Sequence, residues 1–167
     1  SSHTLRRLTQ TIYNLRGQVE EQRDYDVSVV DATAYTSTFT YYDQAGRPQY
    51  TRSSTGTIQT FKYDSRGRQV ESATCVDLNP ADGWDDLLEL SRTETVYGTA
   101  ANSGFKDRGR AIITITRERL HDAAATPLLL DSSNSIATYS YNWYDLRGNL
   151  IATASLGTGN ADNIFAS

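Results

Sequence analysis

Hydrophobic and polar residues alternate along most of the chain, and this period of two is typical of β-strands that keep one face in water. Ile113 and Ile115, for example, alternate with threonines. Residues 136–144 place three large aromatic side chains on one face of a predicted strand, those of Tyr139, Tyr141 and Trp143. Because such short strands are separated by turn residues, the pattern predicts an all-β fold of antiparallel hairpins.

A short motif recurs at five of the predicted turns. It consists of an aromatic residue, an acid or amide, two variable positions, a glycine and a polar residue. We call the five copies corners 1 to 5; they occupy residues 13–18, 42–47, 63–68, 105–110 and 144–149. The aromatic, acid or amide, and glycine positions are Tyr13, Asn14 and Gly17 in corner 1, Tyr42, Asp43 and Gly46 in corner 2, Tyr63, Asp64 and Gly67 in corner 3, and Tyr144, Asp145 and Gly148 in corner 5. Corner 4 keeps only an aromatic residue, a glycine and an arginine, with Phe105 and Gly109 at the first two of these positions.

The motif has the residue preferences of a tight turn. Asp or Asn at the first position of a type I turn accepts hydrogen bonds from the turn's own N–H groups, and Gly at the fourth position tolerates a positive φ. Asp64 and Gly67 stand at these two positions. A type I turn followed by a left-handed residue closes a hairpin with a bulge. Each corner is therefore predicted to reverse the chain, with its aromatic residue as the packing anchor.

The spacing of the corner glycines predicts a repeating unit. Gly46 and Gly67 are 21 positions apart, whereas Gly67 to Gly109 is 42 and Gly109 to Gly148 is 39. We interpret the two long intervals as two units each, with the corner between them eroded. A hairpin of about 20 residues is too small to bury its own apolar face, so neighbouring units must stack. Residues 1–167 are thus expected to form a single domain, a β-solenoid or curved sheet of stacked hairpins.

Residues 76–90 interrupt the alternation. A turn signal over residues 80–83 is followed by the acidic and leucine-rich residues 84–90. Asp82 is suited to cap the start of a helix, so the sequence predicts one short helix near residues 82–90. We expect the whole of residues 76–90 to be an inserted loop that lies over a face or an end of the repeats.

Composition excludes several function classes. A net charge of −4 and a pI near 5.1 argue against a nucleic-acid partner, which needs a basic surface. Cys75 is the single cysteine, so no intramolecular disulfide or thiolate metal site is expected. No apolar run is long enough to predict a transmembrane helix. The chain has no Met and opens with Ser1 and Ser2, from which we expect it to be a fragment of a longer protein.

Acidic side chains are the candidates for chemistry, and we predict structural roles for them. The corner acids Asp43, Asp64 and Asp145 are expected to cap their own turns rather than to catalyse. The oxygen-rich residues 77–86 could suit calcium, but Ala81 stands where the third ligand of an EF-hand loop should be. No cluster of convergent titratable groups is apparent. The sequence therefore predicts neither an enzyme nor a site for a metal or a cofactor.

The aromatic stripe of Tyr139, Tyr141 and Trp143 has two interpretations. Exposed aromatic side chains on a β-surface can stack on sugars, so the stripe is a possible glycan-binding face. Such a stripe also packs one hairpin on the next, and packing is the interpretation that we favour.

The repeated Tyr-Asp-x-x-Gly-Arg resembles the tyrosine-aspartate (YD) repeat of bacterial Rhs proteins, insecticidal toxin complex subunits and teneurins. The resemblance extends from Tyr13 to about residue 155. It implies hairpins that coil into a β-sheet shell, which in this family often encloses a toxic or effector segment. It also implies a bacterial protein that is secreted or lies at the cell surface.

The resemblance and the repeats together predict a non-catalytic structural segment that builds a β-wall. The expected partners are neighbouring repeats of the parent chain, or further copies of this chain that pair through exposed strand edges. The alternative is an extracellular recognition or adhesion module. It would bind a glycan or a partner protein through the aromatic stripe or through residues 76–90.

Overall fold

The computed structural model describes residues 8–25, 34–79, 86–99 and 109–158. Within these ranges the chain forms ten β-strands and no helix. The strands are β1 (Leu8–Tyr13), β2 (Val19–Tyr25), β3 (Tyr35–Tyr42), β4 (Pro48–Ser53), β5 (Thr57–Tyr63), β6 (Gln69–Asp77), β7 (Leu87–Tyr97), β8 (Ala111–Arg119), β9 (Ser135–Tyr144) and β10 (Leu150–Leu156). The strand order follows the chain from β1 to β10, and the pairing is antiparallel. The predicted all-β class with antiparallel hairpins is confirmed.

The chain divides into two compact units, Ser1–Thr60 and Phe61–Ser167. The first unit contains β1 to β4 and the beginning of β5, and the second contains the end of β5 and β6 to β10. In the first unit Ile58 is fully buried. In the second unit Ile113, Tyr139 and Tyr141 form a buried cluster, against which Val96, Ile112, Ile115 and Ala137 pack.

Within the described residues, the long intervals between corner glycines contain no eroded corner, so that prediction is wrong. Among the described residues, β6 and β7 are the strands between Gly67 and Gly109, and β8 and β9 are those between Gly109 and Gly148. Each interval is therefore one strand pair rather than two. In the first interval the strands are longer, with 9 residues in β6 and 11 in β7, and eleven positions separate Gly98 from Gly109. In the second interval the extra length lies mainly in the connection of residues 120–134 between β8 and β9.

The prediction of a short helix near residues 82–90 is also wrong for the part of this segment that the structure describes. Residues 80–85 lie outside the described residues, and Leu87 to Leu90 form the beginning of β7. Leu87 and Leu88 pair with Asp77 and Val76 of β6. A short leucine-rich segment has only a weak intrinsic preference, and strand pairing with a long neighbour outweighs it.

A buried network of charged groups attaches the connection of residues 120–134 to β7. Glu89 is only 4% exposed, and its Oε2 accepts hydrogen bonds from the N–H of Leu130 (2.8 Å) and from Nη1 of Arg92 (3.0 Å). Nη2 of Arg92 donates to the Leu130 carbonyl (2.7 Å). Arg119 donates from Nε to the Glu89 carbonyl and from Nη2 to the Leu128 carbonyl, both at 2.6 Å. The connection is therefore a fixed part of the second unit.

Candidate functional site at the repeat corners

Corner 3 shows how the motif closes its turn. The N–H of Gly67 donates to the Asp64 carbonyl (3.0 Å), and the N–H of Asp64 donates to the Arg68 carbonyl (2.9 Å). Oδ1 of Asp64 accepts the N–H groups of Arg66 and Arg68, both at 2.9 Å, and Oδ2 accepts Nε of Arg68 (2.8 Å). Gly67 has a φ of +81°, a conformation that costs glycine little because it has no Cβ. Both carboxylate oxygens of Asp64 are thus used within the turn.

The other motif turns repeat these bonds with different partners. In corner 2, Oδ1 and Oδ2 of Asp43 accept the N–H (2.9 Å) and Nε (2.7 Å) of Arg47. In corner 5, Asp145 accepts the N–H (2.8 Å) and Nδ2 (2.9 Å) of Asn149. In corner 1 the amide oxygen of Asn14 replaces the carboxylate and accepts two backbone N–H groups at 2.9 and 3.0 Å. These acids are bonded to their own turns, which leaves little freedom for proton transfer.

The hydrogen bonds in the turns hold the pKa of each corner carboxyl below its ordinary value. For Asp43 the main cause is the N–H of Arg47, and for Asp145 it is the side chain of Asn149. Around Asp64, burial acts to raise the pKa, but the N–H groups of Arg68 and Arg66 and the Arg68 guanidinium together outweigh it. The folded state therefore favours the ionised form of all three acids.

We expect acid to weaken the fold through these corners. A carboxyl whose pKa is lower in the folded than in the unfolded chain adds stability above its unfolded pKa, and that stability disappears as the pH falls through the folded pKa. The urea midpoint of unfolding should therefore fall as the pH decreases from about 5 towards 2. A triple variant, Asp43→Asn, Asp64→Asn and Asp145→Asn, should show a flatter pH profile, since Asn14 shows that an amide can cap the turn without titrating. An equally steep profile in the triple variant would contradict this role.

Corner 4 contains the predicted Gly109 and Arg110, but its other closing residue comes from an earlier part of the chain. Phe105 lies outside the described residues, and the aromatic position is occupied by Tyr97 at the end of β7. The N–H of Gly98 donates to the Arg110 carbonyl (2.8 Å), and the N–H of Gly109 donates to the Gly98 carbonyl (2.9 Å). These two bonds match those of Asp64 in corner 3. Gly98 thus takes the acid position, eleven residues before Gly109 instead of the three that separate Asp64 from Gly67.

The signal for this arrangement is present in the sequence. A Tyr-Gly pair ends an alternating run at Tyr97 and Gly98, and a Gly-Arg pair opens the next run at Gly109 and Arg110. The two halves of the motif are separated by an insertion, so a search at fixed spacing finds only the second half. Such a search selects Phe105 because it stands at the expected distance from Gly109.

Consecutive corners are joined by a tyrosine hydroxyl. In three pairs of corners, the tyrosine of the later corner donates to the backbone carbonyl two residues after the glycine of the earlier corner. The bonds are Tyr42 to Val19 (2.8 Å), Tyr97 to Gln69 (3.0 Å) and Tyr144 to Ala111 (2.9 Å). The motif tyrosine therefore connects two hairpins and does more than fill space.

A second contact accompanies each of these bonds. The residue that follows the earlier glycine extends to the later glycine. Nε2 of Gln18 donates to the Gly46 carbonyl (2.8 Å). The Arg68 guanidinium stacks 4.0 Å from the centre of the Tyr97 ring and approaches Gly109. Arg110 lies over Tyr144 and covers Gly148. We call the hydroxyl bond and this second contact together a corner link.

Removing one hydroxyl tests the corner link. We expect Tyr97→Phe to lower the free energy of unfolding by about 1 kcal/mol, the usual net contribution of one hydrogen bond. Tyr13→Phe is the matched control, because the Tyr13 hydroxyl has no hydrogen bond within the described part of the chain and its side chain is 60% exposed. Urea denaturation of both variants at low protein concentration provides the comparison, and equal effects would show that the hydroxyl bond contributes nothing.

The aromatic stripe is largely internal. Tyr139 and Tyr141 are 5% and 8% exposed and belong to the buried cluster of the second unit, whereas Trp143 is 43% exposed. The rings of Tyr141 and Trp143 stack with their centres 6.2 Å apart. Of the three side chains, Trp143 alone presents a substantial surface to a ligand.

The acidic segment considered for calcium is only partly described. Asp82 and Asp85 lie outside the described residues, and Oδ1 of Asp77 accepts the N–H of Asn79 (3.1 Å). Across the described ranges, no group of three or more His, Cys, Asp or Glu side chains is placed to hold a metal ion. The same residues contain no helix with the length and apolarity needed to cross a membrane.

No protein-family model matches the chain, and no curated protein matches it. Several solved structures share a similar arrangement at low identity. A TcdB2-TccC3-Cdc42 structure is 13% identical with a TM-score of 0.39, over 90% of this chain and 8% of that chain. A Photorhabdus luminescens Tc holotoxin pore is 14% identical with a TM-score of 0.32, over 93% of this chain and 10% of that one.

A Bacteroides fragilis protein of unknown function is 10% identical with a TM-score of 0.22, and the match covers 91% of each chain. The present chain spans about a tenth of the length of the toxin-complex chains that it matches. With TM-scores below 0.5, these likenesses carry no argument about function. The functional case therefore depends on the corners themselves.

Proposed function

We propose that this chain is a non-catalytic structural segment of the tyrosine-aspartate repeat type, which forms part of a β-wall in a large bacterial protein that is secreted or lies at the cell surface. The observation that carries the proposal is the corner link, which recurs with the same geometry in three pairs of corners. A contact that repeats from one hairpin to the next is what an extended repeat structure requires.

The corner residues make structural contacts, both within their own turns and between turns. The carboxylates of Asp43, Asp64 and Asp145 are each bonded within their own turn, and the tyrosines and arginines join one turn to the next. Because the corner links join consecutive hairpins, stability should increase by addition as repeats are added. In the parent protein such a wall would enclose a toxin or effector segment, or stack into a larger assembly.

The sequence on either side of this chain in its parent gene provides the first test. A structural wall requires further Tyr-Asp-x-x-Gly-Arg corners next to residues 1–167, and an enclosing shell also requires a separate terminal segment to protect. Limited proteolysis of the intact parent protein should then leave that segment uncut, and variants that break a corner link should expose it. Flanking lectin-like or anchoring domains without further corners would overturn the proposal.

The exposure of Trp143 favours a second candidate function, recognition of a glycan or a protein through the surface of β9. Trp143 is 43% exposed, and its ring stacks on that of Tyr141 with the two centres 6.2 Å apart. A glycan array tests this function. Trp143→Ala should abolish any binding that the array detects, whereas Leu146→Ala, which alters another exposed apolar side chain of the last hairpin, should not. An array without binding would remove glycans as the ligand.

A further inference from the structure

The three corner links share one strand register. In each of them, the residue four positions after the earlier glycine pairs with the residue three positions before the later tyrosine. The pairs are Glu21 with Phe39, Glu71 with Glu94, and Ile113 with Tyr141. Continued by two residues, this register brings Val19 to Tyr41, Gln69 to Val96, and Ala111 to Trp143. The shared register therefore predicts how a further hairpin would dock on this one.

Corner 1 is linked to corner 2 through Gln18 and the Val19 carbonyl, but its own tyrosine and glycine take part in no link within the described residues. The Tyr13 hydroxyl has no hydrogen-bond partner among the described residues, and the side chain is 60% exposed. A Cβ placed on Gly17 would meet no atom within 4 Å, whereas Gly46 and Gly148 are covered by Gln18 and Arg110. The strand that leads into this corner, β1, lies at one edge of the strand order.

Corner 5 has the complementary groups, a backbone carbonyl and an amide side chain, which are linked to no later corner within the described residues. Leu150 is the residue two positions after Gly148, so its carbonyl is equivalent to the three carbonyls that accept tyrosine hydroxyls. Asn149 holds the position of Gln18, whose amide donates to the next corner. β10 lies at the opposite edge of the strand order, and Leu150 and Ile151 are 56% and 63% exposed. No further corner follows in the described residues.

We propose that two copies of this chain dock head to tail, with β10 of one copy pairing antiparallel with β1 of the next. The common register places Leu150 opposite Ile12, Ile151 opposite Thr11, and Ala154 opposite Leu8. The Tyr13 hydroxyl of one copy then donates to the Leu150 carbonyl of the other, and Asn149 covers Gly17. This inference rests on the structural role proposed above and names the partner that the two edges take where no further repeat of the parent chain covers them: a second copy of the same chain.

The composition of the two edge strands supports association between copies. Exposed edge strands are usually protected by charged residues or proline. β1 (LTQTIY) and β10 (LIATASL) contain neither. Each presents a large apolar side chain beside the predicted partner, since Leu8 is 46% exposed and Leu150 56%. Because the two surfaces differ, the contact is heterologous and leads to a ring or to an open filament.

Sedimentation over a range of concentrations tests the proposal. The chain should form oligomers whose mass increases with concentration. Ile151→Glu and Thr11→Lys should each weaken the association at least tenfold, because each buries an unpaired charge at the contact. An equimolar mixture of the two variants should recover it, since the register places the introduced carboxylate at position 151 of one copy beside the introduced ammonium at position 11 of the next. A mixture that associates no better than either variant alone would contradict this register.

Two further variants keep the result interpretable. Tyr13→Phe removes a single hydroxyl that the monomer does not use, so it should weaken association several-fold while the circular dichroism spectrum stays unchanged. Leu129→Lys adds a charge at a 60% exposed position outside the contact and should have no effect. Equal loss of association in Leu129→Lys and Ile151→Glu would overturn the proposed surface.

A folded wild-type chain that remains monomeric at every concentration would overturn this inference. It would leave the wall proposal standing, because the two edges would then belong to further repeats of the parent chain. The wall proposal fails on different evidence, the absence of further corners in the parent sequence. The two failures can thus be distinguished.

Discussion

Glu89→Ala should lower the free energy of unfolding by about 3 kcal/mol, because it removes one partner of a buried ion pair and leaves Nη1 of Arg92 without an acceptor, while Nε of Arg92 keeps its ion pair with Glu94. Glu89 is 4% exposed, and the side chain of Arg92, its partner at 3.0 Å, is 14% exposed. The substitution also removes the acceptor for the N–H of Leu130. Urea denaturation monitored by circular dichroism measures the loss, and protease sensitivity should increase within residues 120–134.

Lys62→Ala is the matched control for the buried pair. Nζ of Lys62 lies 2.7 Å from Oε1 of Glu71, a shorter distance than that in the buried pair, but the Lys62 side chain is 65% exposed. An exposed ion pair contributes about 0 to 1 kcal/mol, so this variant should unfold almost like the wild type. If the two variants lost the same stability, the burial of Glu89 could not be the reason for its effect.

Gly148→Ala should cost about 2 to 3 kcal/mol. Part of the loss comes from the backbone, since a residue other than glycine is strained at the φ of +87° found here. The rest comes from the corner link. An added Cβ would overlap Nη2 and Cζ of Arg110, so the guanidinium must leave its place over the Tyr144 ring. The midpoint of thermal unfolding should fall by roughly 5 to 10 °C.

Gly17→Ala separates the two parts of this loss. Gly17 has a similar φ of +75°, but an added Cβ would meet no atom within 4 Å. The variant should therefore show the backbone strain alone, about 1 kcal/mol. The difference between Gly148→Ala and Gly17→Ala measures what Arg110 contributes, and no difference would mean that the arginine is not part of the link.

The turns could be predicted from the sequence because their chemistry is local. Asp64 and Gly67 meet within one turn, and the hydrogen bonds that hold them involve only residues of the same corner. β5 was likewise predictable as Thr57–Tyr63 from its β-branched and aromatic residues between two glycine-containing turns. In these segments, local preference and strand pairing favour the same conformation.

The wrong predictions concern segments whose conformation depends on residues that are distant in the sequence. Leu87 to Leu90 are a strand because β6 extends far enough to pair with them. Tyr97 belongs to corner 4 because Gly98 bonds to Arg110 across an insertion. The corner link joins side chains more than 20 residues apart in the sequence, as Tyr97 and Gln69 show, and no local pattern predicts it.

Corner 4 also indicates where this protein can accept new sequence. Its turn is closed by Gly98, Gly109 and Arg110, and none of the residues between Gly98 and Gly109 takes part in those two closing bonds. The closing bonds therefore do not fix the spacing between the two halves of the corner, since eleven positions separate Gly98 from Gly109 where three separate Asp64 from Gly67. A binding epitope grafted at this position would be displayed on a scaffold that keeps its own stability, so one repeat corner offers a site for diversification.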